Sequence, residues 1–138
     1  MSWHDYVLNL MSDKNCQDAA IVGYKGTPGV WAAHPGGCLS KITPAEIKNI
    51  TSDDRSGLFV SGVTLGGMRC SVIRDQFGDP DVCVMDLKTK NPDGPSYAVV
   101  IAKALQVVVI LVGIEGVHCG ALYPTAHEMA KYLKSLSF

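Results

Sequence analysis

The longest apolar run in the chain, residues 107–114 (VVVILVGI), is eight residues long. A helix that crosses a bilayer needs about 20 residues, so protein rather than lipid covers this run. A strand with one wet face alternates apolar and polar side chains. This run is apolar at nearly every position, which predicts a central strand covered on both faces and therefore a sheet between two helical layers. The turn that follows, Glu115-Gly116-Val117-His118-Cys119-Gly120, leaves the edge of that core and suits a binding surface.

Elsewhere the spacing of apolar positions alternates between helical and extended. Ser2 is placed to cap a first helix with Asp5 three residues on, and Trp3, Tyr6, Val7, Leu10 and Met11 form its apolar stripe. Ser12-Asp13-Lys14-Asn15 ends it. Residues 19–24 and 30–34 read as a hairpin around Gly26-Thr27-Pro28-Gly29. Thr43-Pro44-Ala45-Glu46 is the clearest helix start, with a capping box, proline at the first position and Ile42 stapled on Ile47. That helix is expected to run to Asp53 or Asp54. From Phe59 on, strands are expected at 59–65, 68–75, 82–88, 97–104 and 107–114, and a last helix from Thr125 with Glu128 as its capping-box partner. Ala126, Met129, Ala130, Leu133 and Leu136 mark that helix's inward face. The order of elements does not alternate as a doubly wound fold would, and short links favour antiparallel neighbours. The fold class is therefore α+β, with a central antiparallel sheet of about seven strands and helices on both faces.

Composition narrows the function classes. The chain has 138 residues, 47% apolar and 18% charged, enough to fold as a single domain over residues 1–138. Twelve Lys and Arg against 13 Asp and Glu give a formal charge of -1. That balance lacks the footprint of a general nucleic-acid binder, so no nucleic-acid partner is expected. No signal-peptide pattern opens the chain, and Cys16, Cys38, Cys70, Cys83 and Cys119 are irregularly spaced, both consistent with reduced thiols in the cytoplasm.

Enzyme signals are weak. There is no phosphate-binding Gly loop, nucleophile elbow or Cys-x-x-Cys pair. His127-Glu128 begins a zinc-protease pattern, but Lys131 stands where the second histidine belongs, so neither a metal nor another cofactor is expected. His118 beside Cys119 is the one pair that suggests a small thiol enzyme, since an imidazole can hold a thiol as thiolate. Neighbours on an extended turn point to opposite sides, which favours a surface histidine and a packing cysteine.

Two clusters look exposed for a purpose. Trp3 and Tyr6 lie at the start of the first helix, Tyr132 lies off the inward stripe of the last, and Phe138 is hard to bury where it stands. If the terminal helices lie side by side, these rings form a groove of the kind that binds a polyproline II peptide. Arg69, Arg74, Lys88 and Lys90 form a basic patch on adjacent strands, balanced by Asp75, Asp79, Asp81 and Asp86.

Together these residues resemble the animal profilins over nearly the whole length. The resemblance is carried by Trp3 with Tyr6, CQDAAIVGY at 16–24, Val30-Trp31-Ala32-Ala33, ITPAE at 42–46, CSVIRD at 70–75, Met85-Asp86-Leu87 and EGVH at 115–118. It implies a non-enzymatic cytoplasmic, cytoskeleton-associated adaptor. Such an adaptor binds monomeric actin, proline-rich segments of assembly factors such as formins, and phosphoinositide-containing membranes. It also implies faster nucleotide exchange on actin and control of actin polymerisation.

By resemblance the proline groove is Trp3, Tyr6, Trp31, Tyr132, Leu133 and Phe138. Tyr132 stands where many relatives have histidine, and Phe138 where they often have tyrosine. The actin face is Val60, Arg69, Ser71, Arg74, Lys88, Lys90, Val117, His118, Gly120, Tyr123 and Glu128, and the phosphoinositide contacts are Arg69, Arg74, Lys88 and Lys90. Relatives commonly have lysine at Ile114, glycine at Cys119, asparagine then lysine at Tyr123-Pro124, and often polar residues at Val82 and Ala98. These departures imply weaker actin and phosphoinositide binding than in a typical relative, or in the extreme a proline-binding module with little actin affinity.

Overall fold

The computed structural model describes residues 2–138. One seven-stranded sheet has the order β2-β1-β7-β6-β5-β4-β3, antiparallel throughout. Its strands are β1 (Cys16–Gly23), β2 (Gly29–Ala33), β3 (Val63–Leu65), β4 (Met68–Asp75), β5 (Val84–Thr89), β6 (Ala98–Lys103) and β7 (Val107–Gly113). The apolar run is the central strand β7, buried at all seven positions. Val107, Val109 and Leu111 face one helical layer, built by α1 (Trp3–Met11) and α4 (Cys119–Ser135). Val108, Ile110 and Val112 face the other, built by a 3-10 turn at Cys38–Lys41, α2 (Pro44–Ile50) and α3 (Leu58–Ser61). Each such fully buried side chain contributes about 1.5–3 kcal/mol.

Two of the three predicted capping boxes are present, while the third, Thr125 with Glu128, falls inside α4 and caps nothing. Ser2 Oγ accepts from the Asp5 N–H at 3.3 Å and Asp5 Oδ2 from the Ser2 N–H at 3.0 Å. Thr43 and Glu46 repeat the exchange at 3.2 and 2.9 Å. Glu46 also reaches the β3–β4 turn, where its two oxygens accept the Gly66 and Gly67 N–H groups at 3.1 Å each.

Besides shifts of one to three residues at strand ends, three boundaries and one side-chain placement differ from the sequence reading. α2 stops at Ile50, three to four residues early, because Arg55 Nη1 donates to the carbonyls of Ile50 and Ser52 at 2.8 and 3.0 Å and closes the helix end. The expected strand at 59–65 is a helical turn followed by β3 only. A short apolar run does not distinguish the two, and here Leu58 alone is buried while Phe59 and Val60 face out. The last helix begins at Cys119 rather than Thr125, with Pro124 in its second turn. The ring forfeits one bond, to the Gly120 carbonyl, and Gly120 is exposed, so water can satisfy that oxygen. Leu136, expected inward, is exposed because the helix ends there. Ser137 takes a left-handed φ of 70°, and the Phe138 and Ser137 N–H groups close back on the Leu133 and Lys134 carbonyls, both at 2.9 Å. This is a Schellman closure, and it folds Phe138 back over the helix end.

Candidate functional site

Each ring of the aromatic groove arrives by a different local device. Trp3 and Tyr6 are one turn apart on α1, which the Ser2 cap starts. Tyr132 is on the last turns of α4, and the Schellman closure brings Phe138 back. Phe138 is also held from the β6–β7 turn, where the Gln106 N–H donates to its carbonyl group and Gln106 Nε2 donates to Ser137 O at 2.7 Å. Trp31 comes from β2, and in the sequence only the family resemblance ties it to the other rings.

The structure places all five rings in one cluster. Trp3 is at its centre, with ring centroids 5.4 Å from Tyr6, 4.7 Å from Trp31 and 4.9 Å from Phe138. Tyr6 meets Tyr132 at 5.9 Å, and Trp31 meets Phe138 at 5.9 Å. All five contacts are edge-to-face, the arrangement aromatic quadrupoles favour. Trp31 and Tyr132 keep 37% and 46% of their surfaces in water, while Tyr6 is buried beneath them at 9%. The Tyr6 phenol is held above its ordinary pKa, first by the Tyr132 hydroxyl and then by loss of water. Leu133 departs from the expected set. It is fully buried, so it supports the groove from below and has no surface to offer a ligand.

The groove opens into a cleft between α1 and α4 of about 440 Å³, lined by Tyr6, Asn9, Asp13, Thr125, Glu128 and Tyr132. Glu128 therefore lies on the α1 side of α4. Tyr123, which the resemblance grouped with it, is on the other flank, stacked on His127 at 5.2 Å.

The basic cluster forms toward the other end of the sheet, on β4 and β5. β4 and β5 pair Ser71 with Lys88 and Val72 with Leu87, then shift so that Arg74 stands opposite Asp86. The shift leaves Ile73 as an extra residue, a bulge. Without it Arg74 would share the inward face of Cys70 and Val72; with it Arg74 returns to the face of Arg69 and Ser71. Arg69, Arg74, Lys88 and Lys90 are all exposed, and the Lys90 N–H donates to Arg69 O at 2.8 Å. Asp86 sits among them with its carboxyl raised by burial, while Arg74 pulls it back down. Val60 is 87% exposed on α3, which packs through Leu58 on the opposite face, so Val60 reaches this patch only around the edge of β4.

His118 stands at the N-cap position of α4 without a side-chain capping bond, and is exposed. Cys119 is half-buried, with Sγ 3.5 and 3.7 Å from the carbonyl oxygens of Leu87 and Val99. Burial and then the Asp86 charge raise this thiol, opposite to what a thiolate nucleophile needs. Ile114 and Pro124 are exposed, and Val117, Val82 and Tyr123 are half-buried. Ala98 is buried and adds little to any outer surface.

The Profilin family profile matches residues 1–138. The chain belongs to the profilin family. It is 50% identical to rat profilin-2 over 137 residues, covering 99% of this chain and 98% of the relative. It is 48% identical to human profilin-1 over 133 residues, covering 96% and 95% of the two chains. Among solved structures, mouse profilin IIa in complex with a double repeat from the FH1 domain of mDia1 superposes with a TM-score of 0.96 at 47% identity, with 100% of both chains covered. Acanthamoeba castellanii profilin II, at 24% identity and a TM-score of 0.74, shares the profilin fold.

Within this profilin, sequence periodicity missed three features that shape the sites. The bulge at Trp31, left over where β1 and β2 pair Ile21 with Ala32 and Val22 with Val30, and the bulge at Ile73 leave no mark on hydrophobic pattern, because each is a single-residue slip in pairing. Arg55 carries no pattern that singles it out in the sequence. It closes α2, pairs with Asp75 and covers the Phe77 ring at 4.7 Å. Its clue was its position just after an expected helix end, where a cation near the last carbonyls is favourable.

Proposed function

We propose that this chain is a single profilin domain that works in the cytoplasm as a non-enzymatic adaptor between monomeric actin and proline-rich segments of actin-assembly factors such as formins. The observation that carries the reading is the contiguous five-ring cluster around Trp3, with Trp31 and Tyr132 open to water. A polyproline II ligand is already extended, so binding costs little ordering entropy, and its pyrrolidine rings stack on aromatics. Proline carbonyls have no N–H of their own run to pair with, and the Trp3 indole N–H and the Tyr132 hydroxyl are donors such a ligand requires. The related mouse profilin IIa holds an FH1 repeat.

The second face is the actin contact, made by Arg69, Ser71, Arg74, Lys88 and Lys90 with Val60 at the rim and Val117, His118, Gly120 and Tyr123 at the start of α4. Through it the protein regulates polymerisation and nucleotide exchange on actin. The same four basic side chains attract phosphoinositide headgroups weakly, so a membrane surface competes with actin. Tryptophan fluorescence titrated with poly-L-proline tests the groove, because Trp3 and Trp31 both report contact. A saturable change is expected, and an unchanged signal at millimolar proline rules the reading out.

A further inference from the structure

Trp31 owes its position to a side chain that is missing next to it. β1 and β2 pair Ile21 with Ala32 and Val22 with Val30, which leaves Trp31 as the extra residue of a bulge. Bulges re-aim a side chain, and this one turns the indole across Gly23, the last residue of β1. A Cβ built on Gly23 would fall 2.2 Å from Trp31 Nε1 and 2.8 Å from Cε2, so the ring occupies the space a side chain would fill. Gly23 does not have a left-handed φ, so conformational freedom does not call for glycine here. Nor does glycine favour strands, so at this end of β1 the space it leaves is its use. Trp31 in turn abuts Trp3 at 4.7 Å and Phe138 at 5.9 Å, so a displaced indole disturbs both.

We infer that Gly23 is a positioning residue for proline-rich ligands, its bare Cα being the seat on which the Trp31 indole rests and from which the groove takes its shape. The inference rests on the proline-binding reading and adds a residue that does not itself touch the ligand. It also limits variation at this site, since even a methyl group at position 23 pushes Trp31 away from Trp3 and Phe138.

Calorimetric titration of a proline decamer into Gly23→Ala, Trp31→Ala and the double variant tests it. Gly23→Ala is expected to weaken binding by about fivefold or more, and to cost nothing further once Trp31 is gone. Gly29→Ala, on the paired strand with nothing within 4 Å of its Cβ, is the control and is expected to bind like the parent. Parental affinity in Gly23→Ala, or an equal loss with and without Trp31, overturns the inference.

A ligand-free measurement separates this from failure of the proline reading itself. With Trp3→Phe as background, acrylamide quenching of Trp31 is expected to rise in Gly23→Ala whether or not the parent binds proline, and unchanged quenching overturns the seat. If Gly23→Ala does not fold, the double variant is expected to fold, because the clash is gone. If both fail alike, the glycine serves some other need and the inference falls.

Discussion

Thr125 Oγ1 donates to Asp13 Oδ2 at 2.5 Å, tying the second turn of α4 to the segment that ends α1. The other Asp13 oxygen accepts the Asn15 N–H at 2.9 Å, so the carboxylate is fixed from both sides. The bond joins the helix that carries Trp3 and Tyr6 to the helix that carries Tyr132. A hydrogen bond to a charged acceptor contributes about 1.5–3 kcal/mol. Thr125→Val, which keeps the shape and loses the donor, is expected to lower the unfolding free energy by about 1–2 kcal/mol in urea denaturation. Thr125→Ser is expected to retain most of it.

The same residue shows how far the sequence could be read. Thr125 with Glu128 has the pattern of a helix start, and the hydroxyl is indeed used, but to reach across 112 positions rather than to cap its own helix. Local pattern could not reveal that, because the deciding partner is remote. The capping boxes at Ser2 and Thr43, the central strand and the two-layer covering of the sheet were legible, since each depends on neighbours or on period. Four of the five rings were brought together by an argument from helix placement. The fifth, Trp31, and the outward turn of Arg74 depend on bulges, and the family resemblance supplied what periodicity could not.

Trp3 touches three of the other four rings, whereas Tyr132 touches one. Trp3→Ala is therefore expected to cost at least about 2 kcal/mol of proline binding, as a central anchor does. Tyr132→Phe keeps the ring and loses one donor, with an expected cost of about 0.5–1.5 kcal/mol. Leu133→Ala works by another route. It leaves a cavity in the core and is expected to cost about 2–5 kcal/mol of folding stability. Calorimetry and urea melts on the three variants separate ligand contacts from support.

Glu46 makes stability depend on acid. Burial pushes its carboxyl up, but the backbone N–H groups of Thr43, Gly67 and Gly66 outweigh that and hold it below its ordinary value of 4.5. A depressed folded-state pKa contributes stability that is present above the unfolded value and is lost as pH falls through the folded one. Glu46→Gln is expected to flatten the stability profile between about pH 5 and the folded-state pKa and to destabilise the protein at pH 7. Parallel profiles for the two proteins would show that the carboxylate contributes nothing to the β3–β4 turn.

The thiols should divide by exposure. Cys38 is exposed, whereas burial pushes Cys16 up to about 11 and Cys70 to about 12. In the unfolded chain both ionise near 9, so above that pH the unfolded state loses protons the folded state retains, and stability falls as pH rises. Titration with a disulfide reagent at pH 8 is expected to modify Cys38 rapidly and Cys16 and Cys70 only on unfolding. Rapid modification of Cys119 under these conditions would contradict its half-buried placement against the Leu87 and Val99 carbonyls.

Arg74 is the sharpest test of the charged face, because the bulge at Ile73 is what turns it outward and sets it opposite Asp86. Arg74→Glu places a second carboxylate across from one that burial has already raised, and it removes the cation that draws Asp86 down. The Asp86 carboxyl is therefore expected to titrate higher still, readable by NMR. In pyrene-actin assembly the variant is expected to lose inhibition by at least about tenfold in affinity, since a reversed charge repels what the original attracted. Proline binding is expected to be unchanged, because the five rings lie across the β1–β2 end of the sheet and β4–β5 lie toward the other. Parental actin affinity in Arg74→Glu would move the actin contact off this face. Loss of both activities together would mean that Arg74 supports the whole fold and not one of its faces.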